Sequence, residues 1–224
     1  MNQRQGDLKK NLESLKAKVQ SLSLDNISIV AVSKYSQFDD VNSLYELGHR
    51  DFGENRIDDL EHKADLAKAH GLNDIRWHFI GRIQSNKIRR IVNISNLHLI
   101  HSVSKLKHLE ILNKESEKLD ISTNVLLQVN LSDEPQKDGF LNLDRNTVNS
   151  AKGFKSLNVK GLMTMAENRS HCGDEVVKGT FDKCYQMYSQ FFDHGIVSMG
   201  MSGDFEIAIG SGSNMIRVGS ILFK

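Results

Sequence analysis

Apolar residues recur along this chain with two spacings, one typical of helices and one typical of buried strands. In the first segment they lie three or four positions apart and form one stripe on a helix: Leu8, Leu12, Leu15, Val19 and Leu22. Short apolar runs then follow, each typical of a strand. We count eight of them: Ile27–Ser33, Arg50–Glu54, Ile75–Gly81, His98–Val103, Asn124–Asn130, Val159–Met165, Ile196–Ser202 and Met215–Ser220.

Helix-like stretches separate most of these runs, and two of them end near a glycine, at Gly48 and Gly71, as helices often do. Strands that alternate with helices form βαβ units and a parallel sheet. Eight such units predict a closed (β/α)8 TIM barrel, preceded by the extra N-terminal helix. The alternative is an open doubly wound sheet, which usually has a glycine-rich turn after its first strand. Here Ser33 to Gln37 follow the first strand without a glycine, so the barrel is favoured.

Composition and charge favour one ordinary globular domain. Of the 224 residues 39% are hydrophobic, and the net charge of +1 gives no reason to expect nucleic acid or an anionic membrane as a partner. Only one proline, Pro135, is present, and no linker-like segment divides the chain. We therefore predict a single domain of residues 1–224, with the N-terminal helix in 1–25 and the barrel in 26–224. No apolar run approaches the ~20 residues of a membrane span, and no signal peptide is evident, so a cytoplasmic protein is expected.

The polar residues at the ends of the predicted strands indicate where function would lie, because TIM barrels carry their sites at the C-terminal ends of the strands. The residues found there are Lys34 after the first strand, Asn55 after the second, Ser202 and Gly203 after the seventh, and Gly219 and Ser220 in the eighth. Backbone N–H groups of small residues attract anions, and barrels frequently hold a phosphate after strands seven and eight. Ordinary glycine and serine turns are the alternative interpretation.

Arg217 and Lys34 add chemistry to this arrangement. If Ile216 and Val218 face the helices, Arg217 faces the barrel interior, where a guanidinium needs a partner. Lysine is the residue that forms Schiff bases with carbonyl compounds. Taken alone, Lys34 would be interpreted as a solvated lysine at a strand end. Together with a phosphate-binding loop and Arg217, it predicts a phosphorylated aldehyde such as pyridoxal 5'-phosphate (PLP) as the ligand.

Several motifs occur here in the order known from one family: Ala31–Lys34 (AVSK), Phe52–Asn55 (FGEN), Trp77–Lys87 (WHFIGRIQSNK), Ser198–Asp204 (SMGMSGD) and Ile216–Ser220 (IRVGS). From Ile29 to Phe223 the chain resembles the pyridoxal phosphate homeostasis proteins, the YggS or PROSC family. The resemblance implies a barrel of the alanine racemase N-terminal type, with PLP covalently bound to Lys34 as an aldimine. It also implies that Ser202, Gly219 and Ser220 contact the phosphate.

The resemblance further implies that Arg217 faces the pyridine nitrogen and that Asn55 lines the pocket. Met201 and His78 complete the candidate cofactor contacts. For His78, which lies between Trp77 and Phe79, a core or pocket-lining position is favoured over an acid–base role.

The family is not known for an established reaction, so the resemblance implies a non-catalytic PLP carrier. Such a protein would buffer or deliver the cofactor within vitamin B6 homeostasis, as a monomer, with apo forms of PLP-dependent enzymes as candidate recipients. Arg217 supports this, since a guanidinium accepts no proton and would leave the pyridine nitrogen unprotonated, which weakens the electron sink. The alternatives are a weak PLP-dependent amino-acid racemase and a barrel that serves as an interaction scaffold without a ligand.

No metal site is expected. His98 and His101 are three positions apart on a predicted strand, and side chains at that spacing point to opposite faces. Lys87 lies in the motif Trp77–Lys87, and Lys137 lies in a further matched motif, Gln128–Gly139 (QVNLSDEPQKDG). Both are interpreted as solvated lysines. The alternative is that one of them relays the cofactor during transfer.

Overall fold

The predicted barrel is confirmed by the computed structural model, which describes residues 3–132 and 138–224. Its closed parallel barrel contains, in chain order, β1 (Ser28–Val32), β2 (Asp51–Glu54), β3 (Arg76–Phe79), β4 (Leu97–Val103), β5 (Thr123–Gln128), β6 (Leu157–Met163), β7 (Ile196–Ser198) and β8 (Met215–Val218). The last strand pairs with the first and closes the barrel, with Ser28 opposite Met215 and Ala31 opposite Val218. All strands therefore end on the same side, which brings the loops after them together.

The helices within the described residues lie before, between and after the strands. They are α1 (Gln3–Leu22), α2 (Phe38–Glu46), α3 (Ile57–Ala69), α4 (Ile88–Val92), α5 (Leu106–Lys118), α6 (Arg145–Lys152), α7 (Arg169–Cys172), α8 (Asp174–Phe191), α9 (Phe205–Gly210) and α10 (Ser220–Phe223). Gly48 and Gly71 follow α2 and α3 with φ values of +86° and +72°, the left-handed conformation that ends many helices. Across both described ranges, no helix is long and apolar enough to cross a membrane.

The N-terminal helix α1 buries the predicted stripe and joins the two ends of the chain. Its inward residues are Leu8, Leu12, Leu15 and Val19, whereas Leu22 stays exposed. The Asn11 side chain donates hydrogen bonds to the carbonyl groups of Leu222 and Lys224, at 3.0 and 3.1 Å. This helix therefore packs where the barrel closes and lies next to the loops at the strand ends.

The barrel interior contains an apolar part and a polar part. Its apolar part is formed by Val30, Leu99, Leu126, Met163 and Met215. Ile216 and Val218 belong instead to the core between the strands and the helices, so Arg217, which lies between them, faces inward as predicted. Other buried polar residues of the interior include His78, His101 and Ser198.

His49, just before β2, makes stability dependent on pH. Its ring is buried, lies edge-on to Phe52, and its Nε2 donates to the Asp51 carbonyl at 2.8 Å. Burial lowers the pKa of His49 from 6.5 to about 4, although this hydrogen bond opposes the shift. Between these values the unfolded chain binds a proton that the folded chain excludes, so stability falls on acidification. We expect His49 alone to reduce the free energy of unfolding by about 2 kcal/mol between pH 8 and pH 5.

Urea unfolding of the wild type and of His49→Gln at pH 8, 7, 6 and 5 measures this contribution. Glutamine keeps an N–H donor for the Asp51 carbonyl but does not titrate, so its stability should decline less steeply. Identical pH profiles for the two proteins would contradict the assignment.

Candidate functional site

An open cavity of about 890 Å³ lies where the loops after the strands meet. Its volume is within the range usual for small-molecule sites, about 300–1,000 Å³. Seven of the eight residues predicted from the sequence line it: Lys34, Asn55, Met201, Ser202, Arg217, Gly219 and Ser220. They come from the ends of β1, β2, β7 and β8, which are far apart in sequence and are brought together by barrel closure.

Lys34 follows β1 after one intervening residue and extends into the open part of the cavity. Its side chain is exposed, and Nζ lies 5.0 Å from the centre of the Tyr35 ring. Lys34 is therefore both solvated and part of the cavity lining, so each of the two interpretations from the sequence applies in part. Its amine is accessible to a ligand from solvent.

The residue before Lys34 is held by a buried ion pair that the sequence analysis missed. Nζ of Lys63 donates to Oε1 of Glu54 and to the Ser33 carbonyl, each at 2.6 Å, and Ser33 Oγ donates to the same Glu54 oxygen at 2.7 Å. Burial raises the pKa of Glu54, and Lys63 opposes that shift. The sequence does contain a signal, because Lys63 lies on the same helical face as Leu60 and Ala67.

Small residues and backbone N–H groups form one wall of the cavity. The N–H groups of Gly219 and Ile221 converge on Ser202 Oγ, at 3.1 and 3.4 Å. Because Ser202 accepts these two bonds, its hydroxyl proton is available to donate to a ligand. A Cβ at Gly219 would lie 3.0 Å from the Val32 carbonyl oxygen, so a side chain there would crowd β1. A hydroxyl donor fixed in this way suits an anionic group.

Arg217 lies deeper in the cavity and is only 4% exposed. Nη1 donates to Ser198 Oγ at 2.7 Å and Nη2 to the Thr164 carbonyl at 3.0 Å. Burial lowers the pKa of Arg217 to about 10, with attraction to Asp204 opposing the shift, so the guanidinium stays charged at neutral pH. The two hydrogen-bond partners given above are a hydroxyl and a carbonyl group, and neither neutralises the charge of the guanidinium. A ligand atom with a lone pair would therefore suit the side of the guanidinium that faces the cavity.

Asn55 and the methionines form the remaining walls. A Cβ at Gly81 would lie 1.8 Å from the Asn55 carbonyl oxygen, so only glycine allows the loop after β3 to approach Asn55 this closely. Met163, Met165 and Met201 add apolar surface. The close approach of Gly81 to Asn55 was not predicted from the sequence, although a glycine near the end of a strand often marks a place where two backbone segments come close.

His78 is the one predicted site residue that does not line the cavity. It is completely buried within the barrel, with Nδ1 2.9 Å from His101 Nε2 and Nε2 3.0 Å from Asp51 Oδ1. Its position corresponds to the core histidine that the sequence analysis considered. Both ring nitrogens are occupied within the protein, so His78 has none to offer a ligand.

The structure brings together a group of potential metal ligands other than the pair His98 and His101. Potential ligand atoms of Asp51, His78 and His98 lie within 4.8 Å of one another. Arg76, however, donates to both carboxylate oxygens of Asp51 and places a positive charge there. The absence of a metal site stays a prediction.

Other residues that line the cavity had no signal in the sequence. Arg4 and Lys224 come from the two ends of the chain, and Arg82 follows β3. Lys87 lies in the short 3-10 turn before α4 and is partly exposed. Lys137, the other lysine considered for cofactor relay, lies outside the described residues.

Known proteins match this chain over nearly its whole length. Residues 4–224 match the family model of the alanine racemase N-terminal domain. The pyridoxal phosphate homeostasis protein of Helicobacter pylori is 36% identical over 203 residues, covering 88% of this chain and 87% of that protein. The protein of the same name from Escherichia coli is 30% identical over 231 aligned residues, covering 97% and 96%.

Solved structures agree on the fold. PipY of Synechococcus elongatus, determined with PLP bound, superimposes with a TM-score of 0.83 and 28% identity, over 97% of this chain and 100% of that chain. An alanine racemase of Clostridium difficile superimposes with a TM-score of 0.71 at 13% identity. This chain covers 56% of that racemase, and a likeness at this identity shows the fold alone.

Proposed function

We propose, since the chain belongs to the alanine racemase N-terminal domain family, that its cavity binds PLP and that the protein takes part in PLP homeostasis within the cell. Its relatives from H. pylori and E. coli carry that function in their names, and PipY was determined with PLP. We further propose a monomeric, cytoplasmic carrier that buffers the cofactor or delivers it to apo-enzymes.

The observation that carries this proposal is that three different chemical groups line one cavity. Lys34 offers an accessible amine, Arg217 a buried donor, and the wall at Gly219 the hydroxyl of Ser202 as a donor held in place by two backbone N–H groups. PLP has an aldehyde, a ring nitrogen with a lone pair and a phosphate, one for each group. The residues present therefore suit this cofactor, which supplies an electrophilic aldehyde and a conjugated ring when bound.

Lys34 is proposed to hold the cofactor covalently. Lys34 would hold the aldehyde through its neutral Nζ amine, whose two protons would leave with the carbonyl oxygen as water as a carbon–nitrogen double bond forms. Attachment directly after β1, with Ser33 bonded to Glu54 and Lys63, would keep the amine near one place. Addition of water reverses the step, as a carrier requires.

A role without catalysis is supported by the surroundings of Arg217 and by the tyrosines. A charged guanidinium beside the ring nitrogen disfavours its protonation. Tyr35 is the one tyrosine among the described residues that lines the cavity, and it adjoins Lys34 rather than facing it. Tyr185 packs beside Gly212 and Tyr188 stacks on Phe192. A racemase needs a second base opposite its lysine, and none of these tyrosines has that place.

Titration of the purified protein with PLP, followed by borohydride reduction and peptide mass mapping, tests the proposal. We expect a visible absorption band that saturates at one PLP per chain, and after reduction one adduct, located on Lys34. The absence of any band would refute PLP binding. Exchange of amino-acid α-protons in deuterated water, at about 1 s⁻¹ or faster, would instead support the racemase.

A further inference from the structure

A chain of buried hydrogen bonds crosses the barrel from the cavity to its opposite end. Arg217 Nη1 lies 2.7 Å from Ser198 Oγ, which lies 3.0 Å from His101 Nδ1. His101 Nε2 lies 2.9 Å from His78 Nδ1, and His78 Nε2 lies 3.0 Å from Asp51 Oδ1. The chain thus joins β8, β7, β4, β3 and β2, and its far end is at the first residue of β2.

The two charged ends determine the direction of every bond in this chain. The Asp51 carboxylate can only accept, so His78 Nε2 must carry a proton, and a neutral His78 then accepts at Nδ1. His101 must therefore donate from Nε2 and accept at Nδ1 from the Ser198 hydroxyl. Arg217 can only donate, and Ser198 Oγ accepts from it. All four hydrogen bonds consequently run in one sense, from the cation to the carboxylate.

Both rings are held neutral by their surroundings. Burial lowers the pKa of His78 and of His101, and the second shift is increased by the nearby charge of Arg217. The other titratable or charged groups that face them are Asp51, Arg76 and His98. Hydrogen bonds from Arg76 and His78 outweigh the burial of Asp51 and hold the pKa of its carboxyl well below the usual range. At neutral pH the chain therefore has one arrangement of protons.

We infer that Ser198, His101 and His78 are positioning residues that couple the Asp51 carboxylate to the Arg217 guanidinium and so aim Arg217 at the ring nitrogen of the ligand. This inference rests on the proposed function, because the ring nitrogen belongs to PLP. Buried polar groups are less favourable than apolar ones of the same volume unless fully bonded. Here every link is made, and such complete networks hold their members rigidly.

The far end of the chain gives the sharpest test, because Asp51 does not line the cavity. Asp51→Asn removes the charge at that end, and Ser198→Ala removes the link next to Arg217. Arg76→Met is the matched control, since it removes the ion pair of Asp51 at the barrel end but leaves the His78–Asp51 bond. We expect Ser198→Ala to weaken PLP binding about tenfold, Asp51→Asn several-fold with a shifted absorption maximum, and Arg76→Met to change neither.

Position 101 allows a rescue. Leucine at His101 breaks two links, whereas glutamine has one acceptor and one donor at the end of its side chain and can restore both. We expect His101→Leu to weaken PLP binding about tenfold and His101→Gln to recover most of the affinity and the wild-type absorption maximum. Equal affinity and spectra in the wild type, Ser198→Ala, Asp51→Asn and His101→Leu would overturn the inference, as would an effect of Arg76→Met equal to that of Asp51→Asn.

A measurement without PLP separates this inference from the proposed function. Nitrogen-15 NMR of the ligand-free wild type at pH 7 should show His78 and His101 neutral, with the proton on Nε2 in both. A proton on Nδ1 of either ring would overturn the chain even if His101→Leu fails to fold. If both rings of the wild type carry their proton on Nε2 as expected but the protein binds no PLP, the proposed function fails, and with it the orientation of Arg217 toward a ring nitrogen. If the variants of the hydrogen-bond chain bind PLP as the wild type does, the inference alone is refuted.

Discussion

Lys34→Ala abolishes covalent attachment of PLP and leaves the fold intact: this is the largest functional effect that we expect. The side chain is exposed, and among the described residues it contacts the ring of Tyr35, which is itself exposed, so its removal should change the free energy of unfolding by about 0.5 kcal/mol or less. Arg217 and the wall at Ser202 stay in place. The variant should therefore still bind PLP, weakly and reversibly, without the visible band and without a borohydride adduct.

Lys224→Ala is the matched control for this experiment, because Lys224 is a second lysine that lines the same cavity. It lies at the end of the chain after α10, and we expect its variant to keep the band and the adduct. A Lys34→Ala protein that retains a stoichiometric adduct, or a loss of the adduct in Lys224→Ala, would show that the attachment site is wrongly assigned.

Lys63→Met should destabilise the fold by about 3–5 kcal/mol, the usual cost of leaving one charge of a buried pair alone. Lys63 and Glu54 are 8% and 0% exposed, and within residues 3–132 and 138–224 Glu54 Oε2 already has no hydrogen-bond partner. Removing the ammonium would leave the carboxylate with the Ser33 hydroxyl as its remaining donor. Urea unfolding at pH 7 measures the change.

Two comparisons show whether burial of the pair causes the loss of stability in Lys63→Met. In α8 the pair Lys178–Asp182 is exposed, so Lys178→Met should cost less than about 1 kcal/mol. Replacing both buried partners, as Glu54→Leu with Lys63→Met, should recover most of the lost stability, because no buried charge is then left alone. Equal losses for Lys63→Met and Lys178→Met would contradict the role assigned to the buried pair.

The architecture follows from the sequence because it depends on local periodicity. Strand-like runs that alternate with helices lead to a parallel barrel, and Ile216 and Val218 face the helices, so Arg217 faces inward. A parallel barrel places the end of every strand on one side, which is why the sequence alone assigns Lys34, Ser202 and Gly219 to one cavity. These inferences need only the face on which a residue lies and its distance from the strand end.

What the tertiary structure decided concerns contacts between residues that no local pattern relates. Alternation along β3 indicates that His78 points inward, but not how deep it lies or what it meets across the barrel. Its partners depend on the stagger of the strands, including the irregular register near Trp77 and His78. Lys63 looks like a surface lysine until α3 packs over Glu54. The periodicity of the chain thus determined the barrel and the strand-end residues that line its cavity. The partners of the buried charges were decided only by how the strands and helices pack, because hydrophobic patterns specify faces and not pairings.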